Sequence, residues 1–320
     1  MTNQRTVWLI VAAALTVIGV IIFAVAMTGL GWNFLNLSSS RFETNTYEVT
    51  ESFESIAINA DTEDITFLPS TDGKCKIVCH EKIRQKHAVS VENSVLKITV
   101  VDETIWTDYI FNFGSDTVTI FLPESKYCAL VADVSTGEIK IPGNFSFTSI
   151  DITTGTGDVE CRASADGAVK IAVRTADIEI DGTTAASLDL KASTGDVEIS
   201  NATAFGEVII SAGTGDVDIK SLRAGSLSAS IGTGDAELSG VITDGKFTVV
   251  TRTADVRLNR CDAAEFFIET TTGDVTGSIL TPKVFIAKSG TGDVDVPRTT
   301  SGGMCEIKTG TGDIRIRIAD

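Results

Sequence analysis

Thr214-Gly215-Asp216-Val217 is one of ten copies of a single unit, and its recurrence decides how the chain folds. The acid of the unit is Glu138 in the first copy, then Asp158, Asp177, Asp196, Asp216, Asp235, Asp255, Asp274, Asp293 and Asp313, at intervals of 19 or 20 residues. A threonine stands two places before every acid, from Thr136 to Thr311, and the residue between them is glycine except at Ala176 and Ala254. A fixed period near 20 residues is the signature of a stacked-repeat architecture.

The residues around the unit give the shape of one repeat. Eight, six and four places before the acid the chain is apolar or small, as in Leu188, Leu190 and Ala192, or Leu227, Ala229 and Ile231. One and three places after it the chain is apolar again, as in Val197 and Ile199, or Val217 and Ile219. Alternation with period two marks a strand with one buried face. The buried positions are even before the acid and odd after it, so the chain must bend across Thr-Gly-Asp. Glycine relieves the steric cost of such a bend, and an aspartate there can bond its own local backbone. Each repeat is therefore a strand, a corner, a second strand and a variable linker such as Ser200–Gly206.

Every repeat runs the same way, so antiparallel hairpins do not follow naturally, and parallel coils stacked about 4.8 Å apart are expected. The fold class expected is all-β: a β-solenoid of about 19–20 residues per coil. Nine steps between ten copies give a stack of roughly 43 Å. Thr194, Gly195, Asp196, Thr214, Gly215 and Asp216 are read as structural corners. The last coil, Asp313–Ile318, has no evident cap and should form the free edge, where either Arg315 and Arg317 discourage further pairing or the edge serves as a contact surface.

The N-terminal part has another character. Residues 7–31 form an uncharged run of 25 residues, bracketed by Trp8 and Trp32. As a helix it would be roughly 37 Å long, enough to cross a hydrocarbon core of about 30 Å. A transmembrane signal-anchor is expected, with residues 1–6 cytoplasmic and the rest of the chain exported as a single-pass cell-membrane protein. Ala24-Val25-Ala26 keeps a cleaved signal peptide open as the competing reading. Residues 32–41 read as a spacer, 42–127 as irregular first coils and a cap, and 128–320 as the regular array. Within 42–127, residues 79–88 admit a short helical reading, and Ile105–Phe113 concentrates aromatic side chains that suit a cap or an exposed contact.

Composition limits the function. With 26 basic and 43 acidic residues the formal charge is −17, which argues against nucleic acid or anionic lipid surfaces as partners and leaves cations, basic proteins or neutral glycans. The six cysteines, at 75, 79, 128, 161, 261 and 305, show neither zinc-finger spacing nor a dense disulfide framework.

The apolar helix, Phe53-Glu54-Ser55-Ile56-Ala57-Ile58, Ile65–Pro69, Val118–Glu124 and the serial Thr-Gly-Asp units together resemble a bacterial membrane-anchored β-strand-repeat family known as putative adhesins. The resemblance covers about 42–320. It implies a β-solenoid, often membrane-tethered and in some relatives associated with cell-envelope stress systems, and it offers no catalytic residues to carry over.

The motifs themselves carry little chemistry. Phosphate loops need a helix after the glycines, and a strand follows every copy here. No nucleophile elbow or triad is evident. Cys75, Cys79, His80 and His87 have the right residue types for a metal site, but along a strand His80 points away from the two cysteines. Calcium along the row Asp158, Asp177, Asp196, Asp216, Asp235, Asp255, Asp274, Asp293 and Asp313 is the one cofactor worth naming, against a purely structural row. No other cofactor is expected. The function expected is a non-enzymatic, membrane-tethered extracytoplasmic module that binds an unidentified envelope component or protein. The alternatives are a carbohydrate-active β-helix enzyme, a calcium-stabilised surface scaffold, and a threonine face acting on ice.

Overall fold

A computed structural model of the chain describes residues 2–29, 31–32, 41–103 and 115–319. The aromatic stretch Ile105–Phe113 and most of the expected spacer lie outside the described residues. The chain divides into two compact units. One comprises residues 1–43, 82–85 and 102–114; the other comprises 44–81, 86–101 and 115–320.

The first unit contains the helix Thr2–Gly29. Its segment Val7–Gly29 is 23 residues long and apolar enough to cross a membrane, a property shared by anchors and signal sequences. Its hydroxyls fit an apolar setting: Thr16 Oγ1 donates to the Ala12 carbonyl at 2.9 Å and Thr28 Oγ1 to that of Val25 at 2.8 Å. Polar groups satisfied within the helix remove the cost of carrying them into lipid.

The second unit is a β-solenoid of about 10 turns. Long strands stack in parallel and in register: Ser187–Thr194 pairs with Ala168–Thr175 on one side and Thr203–Thr214 on the other. The strands after the corner do the same, with Val197–Ser200 between Ile178–Asp181 and Val217–Lys220. The linker is more ordered than the sequence suggests. It holds a short third strand, as in Thr184–Ala185 paired with Thr203–Ala204. A left-handed residue precedes it: Gly182, Asn201, Ser221 and Gly240 have φ between 52° and 67°.

Inward positions form one continuous core of Leu, Ile, Val and Ala, with aromatic pairs where there is room, such as Phe247 and Phe266 with centroids 4.9 Å apart. Cys161, Cys261 and Cys305 are part of it.

Both ends depart from chain order. At the C-terminal end, Glu265–Thr272 pairs not with Val284–Thr291 but with the later strand Met304–Thr311. Met304–Thr311 in turn pairs with Val284–Thr291. The final coil is thus inserted under its predecessor, and the expected free edge at Asp313–Ile318 is corrected: the edge is Val284–Thr291 with Val294–Asp295. The side chains explain the exchange. The inserted coil brings Cys305, Ile307, Ile314 and Ile316, all at most 2% exposed, and so suits a place with neighbours on both sides. The displaced coil has a second strand of only two residues, and one residue beyond it comes Pro297, which has no N–H to donate. Short strands and proline belong at sheet edges.

At the other end, Ser55–Ala60 lies between Val95–Asp102 and Lys126–Thr136, and Glu63–Pro69 between Asp116–Leu122 and Ile139–Ile141. Cys75–Lys82 then runs antiparallel to Asp116–Leu122 and covers that edge. The helical reading of residues 79–88 is likewise corrected. The chain there continues one strand and begins the next, Gln85–Glu92, because its alternating Cys75, Ile77, Cys79 and Glu81 bury a single face.

Candidate binding face along the corner acids

The corners stack directly on one another. Gly215 has φ +138°, and a Cβ on it would lie 2.1 Å from the carbonyl oxygen of Gly195. A backbone of that sign and closeness admits glycine alone. Ala176 and Ala254 are not in the left-handed region, so those two corners turn by another route.

The bend sets the direction of the amides. Gly215 N–H donates to Thr233 O and Val217 N–H to Asp235 O, both at 2.9 Å and both in the following coil. Asp216 N–H points the other way and donates to Oδ1 of Asp196 in the preceding coil at 2.7 Å. The aspartate side chain therefore supplies an acceptor where the reversed amide finds no strand carbonyl. This differs from the local self-bonding expected of it.

The same bond repeats along the stack. Asp177 donates to Asp158, Asp196 to Asp177, Asp235 to Asp216, Asp255 to Asp235, and Asp274 to Asp255, at 2.7–3.0 Å. It also follows the reordered coils, from Asp313 to Asp274 and from Asp293 to Asp313. Asp64 opens the row, accepting from Glu138 N–H at 3.0 Å. Glu138 itself pairs with Lys140 Nζ at 2.8 Å.

Oδ1 of each aspartate from Asp158 to Asp274, and of Asp313, is thus engaged, and the carboxylates are exposed or half-buried. Beside them runs a second acidic row in register, Glu160, Glu179, Glu198, Asp218 and Glu237. The two rows form a shallow groove of about 250 Å³ lined by Glu138, Asp158, Glu160, Asp177, Glu179, Asp196 and Glu198. Basic side chains border it. Arg162 reaches Glu160 at 3.0 Å and Glu179 at 3.5 Å, while Lys220 reaches Asp218 at 2.8 Å and Glu198 at 3.3 Å. Hydrogen bonds donated to these acids hold the Lys220 ammonium above its ordinary range, the one to Asp218 more than the one to Glu198. Further along, a hydrogen bond from Arg257 holds Asp235 below the usual carboxylate range.

The corner threonines make an exposed ladder, Thr175 beside Thr194 beside Thr214 beside Thr233. The threonines two places earlier, Thr154, Thr251, Thr270 and Thr309, are at most 4% exposed and belong to the core side. Of the four Cys/His candidates, the structure brings Cys79 and His87 together and leaves Cys75 and His80 apart from them. The sequence missed their companion, Glu81. Its signal was available in strand alternation, since Glu81 follows Cys79 by two and shares its buried face.

A family model described as Toastrack DUF4097 matches residues 53–213 and again 203–320. The chain belongs to this family. Solved structures similar to this Toastrack chain include a putative adhesin from Parabacteroides distasonis, 13% identical over 87% of this chain and 98% of that one, with a TM-score of 0.49. A putative adhesin from Bacteroides fragilis is 15% identical over 88% and 99%, with a TM-score of 0.40. A putative lipid binding protein from Parabacteroides distasonis is 12% identical over 88% and 98%, with a TM-score of 0.44. No curated protein matches the chain.

Proposed function

We propose that the chain is a non-enzymatic, membrane-tethered extracytoplasmic solenoid whose acidic side binds a basic component of the cell envelope. The observation that carries this reading is the groove in which seven carboxylates, Glu138, Asp158, Glu160, Asp177, Glu179, Asp196 and Glu198, converge from two stacked rows. Like charges held in register are unfavourable and are relieved when a cationic partner replaces water and salt. The helix Val7–Gly29 supports tethering. Carboxylates spread evenly from coil to coil support binding over glycoside hydrolysis, because a glycoside hydrolase gathers one acid pair at one bond.

The corner aspartates are assigned to architecture, each closing the backbone bond of the next coil. The outer row Glu160, Glu179 and Glu198 is assigned to recognition. The test uses the full chain in detergent and a fluorescent oligolysine peptide as probe. Binding should weaken steeply with ionic strength and fall at least about tenfold in the triple variant Glu160→Gln, Glu179→Gln, Glu198→Gln. Equal binding by the triple variant, or equal binding of an oligoglutamate peptide, would overturn the reading. Envelope material retained by the wild type and released by salt would identify the natural partner.

A further inference from the structure

Away from the acidic groove, the N-terminal end of the solenoid buries an unusual set of polar groups. Glu63 and Glu81 are 0% exposed and His87 is 4% exposed, with Cys79, also 0% exposed, beside them. Three strands deliver them. Cys79 and Glu81 share the inner face of Cys75–Lys82, His87 comes from Gln85–Glu92, and Glu63 begins Glu63–Pro69. One ligand atom from each of Cys79, Glu81 and His87 lies within 4.8 Å of the other two.

The bonding around His87 is what a ligand needs. Its Nδ1 lies 2.6 Å from Glu81 Oε2, which also accepts the His87 backbone N–H at 2.6 Å, so Glu81 fixes the ring. Glu81 Oε1 is held in turn by Asn45 Nδ2 at 2.6 Å. A carboxylate bonded to one ring nitrogen is the usual support of a metal-binding histidine. The other nitrogen, Nε2, has no hydrogen-bond partner, and neither has Glu63 Oε1, which faces it at 3.6 Å. Glu63 is pinned by its other oxygen, which accepts from the N–H groups of Asp61 and Thr62 at 2.6 and 2.7 Å. Two buried polar atoms are thus aimed at each other without a bond, at a cost of about 1–3 kcal/mol for each such group. Two ligands of a tetrahedral zinc, each about 2.0–2.2 Å from the ion, stand about 3.3–3.6 Å apart.

We propose that Cys79, His87 and Glu63, with Glu81 bracing the histidine through Nδ1, form a buried site for one divalent transition-metal ion of the zinc class. Thiolate, imidazole and carboxylate donors together suit zinc and do not suit calcium or magnesium, which take oxygen ligands. The ion also brings positive charge to two buried carboxylates, Glu63 and Glu81. Its role is structural. It ties Cys75–Lys82 and Gln85–Glu92 to the first strands of the solenoid and so fixes the cap on that end.

The test takes the full chain, reduced and stripped of metal in detergent, in a Cys128→Ser background that removes the exposed thiol. Zinc should bind at one equivalent per chain and raise the melting temperature, and calcium should do neither. Cobalt(II), as the spectroscopic probe, should give a thiolate-to-cobalt charge-transfer band that zinc displaces. Cys79→Ser should abolish the band, His87→Gln should weaken binding about 100-fold or more, and Glu81→Gln about 10–100-fold. Absence of a thiolate band from the cobalt-loaded chain in the Cys128→Ser background overturns the proposal without recourse to the ligand variants. Retention of the band in a folded Cys79→Ser chain would overturn it equally.

Discussion

Gly215 offers the sharpest mutational test of the stacked corner. In Gly215→Ala the new Cβ would start 2.1 Å from Gly195 O and 2.5 Å from Gly195 C, on a backbone with φ +138°. Alanine in that region costs about 1–3 kcal/mol in strain. The Cβ must also retreat by roughly 1 Å to reach ordinary contact, which lengthens the flanking bonds from Gly215 N–H to Thr233 O and from Gly195 N–H to Thr214 O, now 2.9 Å each. Two weakened backbone bonds add about 2 kcal/mol, for a total of about 4 kcal/mol. At roughly 2–3 °C per kcal/mol for a domain of this size, the melting temperature should fall by about 10 °C.

The control is a glycine of the same sign in open space. Gly240 has φ +64°, and its nearest neighbour to a Cβ is 3.8 Å away. The equivalent places in the two adjacent coils already hold Ser221 and Arg260, with φ of 58° and 53°. Gly240→Asn should therefore cost under about 1 kcal/mol. Thermal melts of the two variants and the wild type, followed by circular dichroism, decide the matter. A Gly215→Ala melt within 2 °C of the wild type, or equal losses in both variants, would refute the stacked-corner reasoning.

Further outcomes follow from the same geometry. Asp216→Asn keeps the side-chain oxygen that accepts Asp235 N–H at 2.7 Å and should melt close to the wild type, whereas Asp216→Ala should lose about 1 kcal/mol in denaturant titrations. Phe247→Ala opens the core beside Phe266 and should cost about 3–5 kcal/mol in the same titrations. With a thiol reagent at pH 8 the metal-free native chain should show one fast cysteine, Cys128. Burial pushes Cys75, Cys79, Cys161 and Cys305 up to about 12 and Cys261 to about 11; a second fast thiol would contradict the packing. Asp235, held low by Arg257, adds stability above the unfolded carboxylate value of 3.8 that is lost as pH falls through its lower folded value. Being exposed, the pair is worth at most about 0.5 kcal/mol, so Asp235→Asn should differ slightly from the wild type at pH 7 and not at all at pH 2. Finally, a calcium-selective chelator should leave the melting temperature unchanged, and a drop of many degrees would reinstate a calcium row.

The repeat was legible because its physics is local. The change of phase at Asp196 or Asp216 depends only on which neighbours are apolar, and the corner follows from it. What the period cannot convey is which coil sits beside which. The coils of Val284–Asp295 and Met304–Ile318 carry the same motif, and their exchange rests on differences the period ignores: Pro297, a two-residue strand, and a more apolar inner face in the later coil. The direction of the aspartate bond was similarly hidden. The acid at 216 is bonded by its own amide to Asp196 and by the amide of Asp235, partners 20 and 19 residues away that a local reading does not consider. At the buried cluster the sequence drew attention to Cys75, Cys79, His80 and His87 by residue type. Alternation separates the inward Cys79 and Glu81 from the outward His80, but only the fold brings Glu63 opposite His87.

The central claim is a parallel, in-register stack whose last coil is inserted beneath its predecessor. Cysteine cross-linking tests it most directly. In a Cys128→Ser background, Thr276→Cys paired with Arg315→Cys joins positions that are immediate register partners. Thr276→Cys paired with Asp295→Cys joins positions separated by the inserted strand Ile314–Ile318. Under mild oxidation, with mass-spectrometric mapping of peptides, the first pair should form a disulfide in high yield and the second should not. A bridge between 276 and 295, with none between 276 and 315, would mean that the coils follow chain order and would contradict the account.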